Sequence, residues 1–282
     1  MITVSNLIYY PIKACRGFEV ESARVERMGL EHDRRMMVVT SQGKFLTQRE
    51  VPRLALVTPK LMNGALELSA PNYDAIQLGI QTSGTPWQVN IWKSKGVLAI
   101  DQGEEAAAWF SDWLGRPVRL VHIADGYKRP VNEQYVVSPD DHTGFSDGYP
   151  ILLTSEEGLQ DLNSRLESPV PMNRFRPNLV VKGCGPFEED TWNRIGIGNV
   201  ELAVVKPCAR CEVTTIDKDT LERSKEPLKT LGKYRKQKLG AIFGQNVIPI
   251  REGRIQVGMT VEVLSFANHG DTALFEHAPQ GH

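Results

Sequence analysis

Lys206-Pro207-Cys208-Ala209-Arg210-Cys211-Glu212-Val213-Thr214-Thr215-Ile216-Asp217 places a Cys-x-x-Cys pair between two β-rich runs, 200–205 and 241–248. Residues 212–217 themselves read as a further strand, because β-branched residues dominate them. A thioredoxin-like pair normally sits inside a βαβ unit, so β-runs on both sides argue for a mainly β fold and against disulfide exchange. A thiol binds metal or attacks only as thiolate, and neighbouring cations stabilise that anion. Lys206 and Arg210 supply such charge, and Cys211 is the thiol of interest.

Outward from this stretch the same preference continues. Runs 179–182 and 259–264 read as strands, and 226–234 as a short helix. In the first hundred residues, 20–27 alternates apolar and polar, 36–40 is β-compatible, and 54–57 and 66–68 are short apolar runs. Ser41-Gln42-Gly43, Asn63-Gly64, Pro71-Asn72 and Ser83-Gly84 punctuate them as turns. Many short strands with frequent turns point to barrels or sandwiches rather than a parallel α/β sheet.

Two helices interrupt the pattern. Residues 101–114 put Ala106, Trp109, Phe110 and Trp113 on one face with Gly115 as a stop. Residues 154–166 open on a capping-box pattern, Thr154-x-x-Glu157, and align Leu159, Leu162 and Leu166. Between them, 125–149 is polar and rich in Pro, Asp and Gly, as functional loops are. From Asn268 the periodicity ends, and 268–282 reads as a flexible tail.

Composition limits the function classes. The chain has 282 residues, enough for two domains, and a net charge of -1, which gives no broad nucleic-acid surface. No apolar run reaches the roughly 18 residues of a membrane span, and the start Met1-Ile2-Thr3-Val4 lacks the pattern of a secretory signal. A cytoplasmic protein is expected. Four cysteines in a chain of this length make no disulfide framework. Only Cys208 and Cys211 are paired in spacing, with no second pair and no His-x3-His, so a structural zinc site and the ferredoxin iron–sulfur spacings are not expected.

Separated motifs resemble the MOSC superfamily in its two-part form. They are Tyr10-Pro11-Ile12-Lys13-Ala14-Cys15-Arg16-Gly17, Asp33-Arg34, Ser146-Asp147, Asn173-Arg174-Phe175-Arg176-Pro177-Asn178, and the cysteine stretch followed by Lys225-Glu226-Pro227-Leu228. Phe243-Gly244-Gln245-Asn246 and Ile255-Gln256-Val257-Gly258 continue the likeness, which covers residues 1 to about 265. Within the superfamily the chain is most similar to the amidoxime-reducing components and their bacterial relatives. The resemblance implies an N-terminal MOSC-type β-barrel domain over 1–120 and a MOSC β-barrel domain over 121–267, with the cofactor where they meet.

It further implies a molybdenum cofactor (Mo-molybdopterin) bound through the thiolate before the Thr-Thr-x-Asp element, which is Cys211 rather than Cys208. Soft thiolate suits a metal already held by sulfur. Read from residues alone, Cys211 is equally a small buried apolar side chain. Lys13, Arg34 and Arg176 match cofactor-binding positions, where cations hold the phosphate of the pterin. Arg176 precedes a proline, which biases it to extended backbone. The family often has Ser where this chain has Ala14. Asp147 matches an acidic residue near the metal that could relay a proton, or else serves the Ser-Asp-Gly turn. Asn178 and Thr214 are candidates to hydrogen-bond the pterin, though Asn178 could equally satisfy a turn.

The implied reaction reduces N-hydroxylated small molecules. Its electrons come from an external donor, a reductase or an iron–sulfur or haem protein, since no dinucleotide fingerprint follows any strand. Two alternatives use the same thiol. One is a sulfur carrier holding persulfide on Cys211, charged by a pyridoxal-phosphate desulfurase; the other is a non-catalytic carrier of molybdenum cofactor. A persulfide has no need of phosphate-binding cations spread over both halves of the chain.

Overall fold

The computed structural model describes residues 1–62 and 64–267. The tail expected over 268–282 lies outside the described residues. The described residues are mainly β, with three α-helices among them: Glu104–Leu114, Glu156–Asn163 and Leu228–Tyr234.

A nine-stranded sheet dominates. Its centre pairs the long strands Val200–Ala209 and Gly240–Arg251 antiparallel, with shifts in register that bend them. Ile151–Ser155 pairs antiparallel with Gly240–Arg251 and parallel with Leu179–Lys182. The first strand of the chain, Thr3–Tyr9, then adds to Leu179–Lys182, so it belongs to the sheet of the second half. Ser22–Glu26 likewise pairs with Gly253–Gln256, and Val4, Leu7, Val25 and Leu30 are buried in one core with Leu153, Leu179, Trp192 and Leu202.

The remainder of the first half builds its own cores. Met36–Val39, Arg119–Ile123, Ser94–Asp101 and Trp87–Ile91 form a four-stranded sheet. A three-stranded meander, Thr58–Met62, Ala65–Ala70 and Tyr73–Gly79, packs with helix Glu104–Leu114. That helix buries Ala106, Trp109, Phe110 and Trp113, as its periodicity requires, and ends at Gly115 with φ 66.

Local departures from the sequence reading have physical causes. The helix cap is Ser155, not Thr154: Ser155 is extended and its hydroxyl accepts from Gly158 N, while Thr154 completes a strand. Of residues 54–57, Leu54, Ala55 and Leu56 fall in a 3-10 turn, Pro52–Leu56, opened by proline at its first position, and only Val57 is extended. Residues 212–217 are not a strand either. The chain turns at Cys211 into a 3-10 helix, Glu212–Thr215, because Thr214 N and Oγ1 both donate to the Cys211 carbonyl, at 3.1 and 2.9 Å. A β-branched pair here closes a turn instead of extending a sheet.

Candidate functional site

One cavity gathers six of the seven expected site residues: Lys13, Arg34, Asp147, Arg176, Asn178 and Cys211. Thr214 lies behind the wall, buried and hydrogen-bonded to the backbone of Cys211, so it shapes the cysteine turn rather than facing the cavity. The first half of the chain, the 125–149 loop and the second half each supply lining residues.

Cys211 caps the 3-10 turn and is exposed, which disposes of the buried-apolar alternative. Cys15 is the buried one, with its thiol pushed up to about 12 by burial. Cys184 is also pushed up to about 12, by burial and by Glu157, and does not line the cavity. Cys208 does, and its sulfur accepts from Arg210 Nη1 at 2.9 Å. Lys206 stands over the Tyr135 ring at 4.7 Å and is not a lining residue, so Arg210 alone of the two expected cations reaches the cysteine side. Among the described residues no three His, Cys, Asp or Glu side chains converge as a metal cage.

The cations are organised around Tyr10. Its buried ring lies against both guanidiniums, 4.5 Å from Arg34 Cζ and 4.2 Å from Arg176 Cζ. Its hydroxyl donates to Pro177 O at 3.2 Å and its backbone N to Asp33 Oδ1 at 2.9 Å. Gly17 is required by this packing, since a Cβ there would stand 2.4 Å from the ring. Arg34 is fully engaged: Nη1 donates to Asp33 Oδ2 (2.7 Å) and Asn178 Oδ1 (3.0 Å), and Nη2 to Arg176 O (3.1 Å). Asn178 is buried and also accepts from Leu152 N and donates to Ile8 O. It holds Arg34 and two strands together, and its side chain is spent on protein.

Arg176 differs. Its Nη1 donates to Cys15 O at 2.7 Å, while Nη2 is buried without a partner. Arg210 Nη2 donates to Phe175 O at 2.6 Å, and its Nε is also buried and unpartnered. Neither guanidinium has a carboxylate within ion-pair distance among the described residues. Arg16, Arg35, Arg174 and Arg235 also leave one buried nitrogen unpartnered, but each is ion-paired. Arg176 and Arg210 have no such carboxylate, so an anion would complete them. A phosphate fits that requirement, and the exposed thiol beside them fits a sulfur-bound metal.

Backbone strain concentrates here too. Eight described non-glycine residues have positive φ, and four of them, Ala14, Arg34, Trp92 and Arg176, line the cavity. Arg176, at φ 57, is thus not extended as its following proline suggested. Its hydrogen bonds across the domain junction outweigh the local preference.

Asp147 stands in the cavity with 73% of its side chain facing open space, paired with the buried Lys13. Loss of bulk water raises its pKa, but the Lys13 charge and hydrogen bonds from Lys13 and Trp92 Nε1 override this and hold it below the usual carboxylate range. Burial lowers the pKa of Lys13 despite Asp147.

Lys218 carried no signal in the sequence and is part of the site's frame. It is buried, donating to Gln48 Oε1 at 2.9 Å and to Val213 O at 2.8 Å, and Gln48 Nε2 donates on to Ala14 O. Burial and repulsion from Arg176 and Arg174 lower it to about 7 against the pull of Cys211.

Comparison with known proteins agrees with this organisation. Residues 1–117 match the MOSC N-terminal beta barrel domain and residues 140–262 the MOSC domain. Mitochondrial amidoxime-reducing component 1 of Mus musculus is 39% identical, with 93% of this chain and 82% of that protein covered. The Homo sapiens protein of the same name is 38% identical over 93% and 83%. Mitochondrial amidoxime reducing component 2 of Rattus norvegicus is 40% identical over 83% and 72%. With both domains in order and a cation-lined cavity between them that ends on an exposed cysteine, this chain belongs to the MOSC superfamily, in the two-domain branch of the amidoxime-reducing components.

Proposed function

We propose that the protein is a molybdenum-cofactor-dependent reductase of N-hydroxylated small molecules that takes its electrons from a separate donor protein. The observation that carries this is the pair of buried, unpartnered guanidinium nitrogens on Arg176 and Arg210 in the cavity that also presents Cys211. The names of the relatives support the substrate class.

In this reading the Cys211 thiolate holds the metal, and Arg176 and Arg210 take the phosphate of the pterin. Bound there, the cofactor supplies the two-electron redox centre for removing oxygen from N–OH. The substrate takes up two electrons and two protons and leaves as the reduced nitrogen compound and water. Arg34 acts through position, fixed by Asp33 and Asn178 so that Arg176 keeps its place. Thr214 sets the backbone of the cysteine turn. Asp147, held below the usual carboxylate range by the Lys13 charge, is ionised at neutral pH and accepts from Lys13, the member of the pair that carries a proton to give. The electron donor is a flavin reductase or an iron–sulfur or haem protein. No described helix is long and apolar enough to cross a membrane, and a cytoplasmic location goes with this proposal, although the relatives are named mitochondrial.

The sulfur-carrier reading shares Cys211 but leaves the arginine nitrogens without purpose, and a non-catalytic cofactor carrier leaves the Lys13–Asp147 pair without one. Metal analysis and pterin extraction after expression in a cofactor-competent host test the proposal. Molybdenum and pterin are expected in equal amounts, and absence of both would sink it. Benzamidoxime reduction with an artificial donor is expected to vanish in Cys211→Ala; activity that survives there removes Cys211 as ligand.

A further inference from the structure

Beside the cofactor cavity lies a second groove that shares Thr47, Arg49 and Trp92 with it. Its base is a hairpin in which Ile91 pairs with Ser94, leaving Trp92 and Lys93 as a two-residue turn. Such turns take Asn, Asp or Gly where φ is positive, yet Trp92 occupies that position at φ 50. A bulky residue there is strained, and strain of this kind persists where surrounding contacts enforce it. Those contacts are visible: the Trp92 ring packs on Phe45 at 4.7 Å, the Arg49 guanidinium lies 4.9 Å from it, and Nε1 donates to Asp147 at 3.1 Å. The indole remains 39% exposed at the mouth. It is an aromatic platform between bulk water and the catalytic cavity.

The charge around that platform is one-sided. Lys44 is paired with Glu50, the one acidic residue of the groove. Arg49, Lys93 and Lys95 have no carboxylate within ion-pair distance among the described residues. An aromatic face with unneutralised cations on its solvent side suits a flat ligand whose outer end is anionic.

Resting on the reductase reading, we infer that this groove selects N-hydroxylated aromatic substrates that carry an anionic group. The ring lies against Trp92, the anion meets Lys93 and Lys95, and the N–OH end points into the cavity. The test uses cofactor-loaded protein with reduced methyl viologen as donor, so that no donor protein takes part. Wild type should reduce 4-carboxybenzamidoxime with kcat/KM about tenfold above benzamidoxime at low salt, a preference that shrinks toward about 0.5 M NaCl. The double variant Lys93→Glu/Lys95→Glu should abolish or invert the preference with benzamidoxime itself unchanged, and Lys93→Arg/Lys95→Arg should retain it.

Equal kcat/KM for the two compounds in wild type, or a preference that survives charge reversal, overturns the inference and leaves the reductase reading standing. If neither compound is reduced, the reductase reading fails instead, and calorimetric binding of 4-carboxybenzamidoxime decides the groove. Binding about tenfold weaker in the Glu variant supports the site; equal binding overturns it.

Discussion

The two walls of the cavity carry the same chemistry in opposite states of completion. On the first-half wall the two deep cations are matched, Lys13 by Asp147 and Arg34 by Asp33 and Asn178, while Arg49 has no carboxylate partner among the described residues. On the second-half wall, Arg176 and Arg210 lack acidic partners among the described residues and keep buried nitrogens unpaired. On the proposed function, the unmatched cations are the ones left to meet a ligand. Both Arg34 and Arg176 line the cavity, but Arg34 is paired with Asp33 and Asn178 whereas Arg176 keeps one nitrogen without a partner.

The largest effect that could break this comparison is on stability. Arg34→Met strands Asp33, whose side chain is 1% exposed, and should destabilise the apoprotein by about 3–5 kcal/mol, read by denaturant unfolding. A loss under about 1 kcal/mol would mean that the first wall is not structural in this sense. Arg176→Met should divide its effects differently. Folding stability should fall by less than in Arg34→Met, since the bond to Cys15 O is lost but no buried carboxylate is stranded, while cofactor retention drops by roughly 1.5–3 kcal/mol, ten- to a hundredfold. Dialysis followed by metal analysis measures it.

Lys218 sharpens the picture by pH. Its folded pKa, about 7, lies below its ordinary 10.5, so between these values the unfolded chain binds the extra proton. Apoprotein stability should therefore rise as pH increases from about 7 toward 10, by at most about 1.4 kcal/mol per pH unit, and fall again as pH returns through 7. Lys218→Met should flatten that slope in unfolding curves taken across the range. The smallest effect is at Ala14, with φ 70. Glycine relieves that strain, and Ala14→Gly should raise stability by about 1 kcal/mol or less, visible as a small increase in Tm.

Local periodicity accounts for part of the fold. The strand at 179–182 and the helix face of Ala106, Trp109, Phe110 and Trp113 are where alternation and helical spacing put them. The turn after Cys211 was missed because Val213, Thr214 and Thr215 favour strands on average, and only Thr214's bonds to the Cys211 carbonyl reverse that. Strand Thr3–Tyr9 does not alternate, since its register shifts between Val4 and Asn6, and nothing local says that it joins Leu179–Lys182. Lys218 was invisible for the same reason: its acceptor Gln48 is 170 residues away.

By itself the sequence determined the inventory: which thiol precedes the Thr-Thr element, which cations flank it, and where strands alternate, since these depend on neighbours a few residues apart. Tertiary structure alone decided which partner each cation meets. Lys13 meets Asp147 across 134 residues, Arg34 meets Asn178 across 144, and Arg176 meets Cys15 across 161. Whether a buried charge is matched or left open depends on groups brought together by the sheet, and no local pattern encodes that pairing.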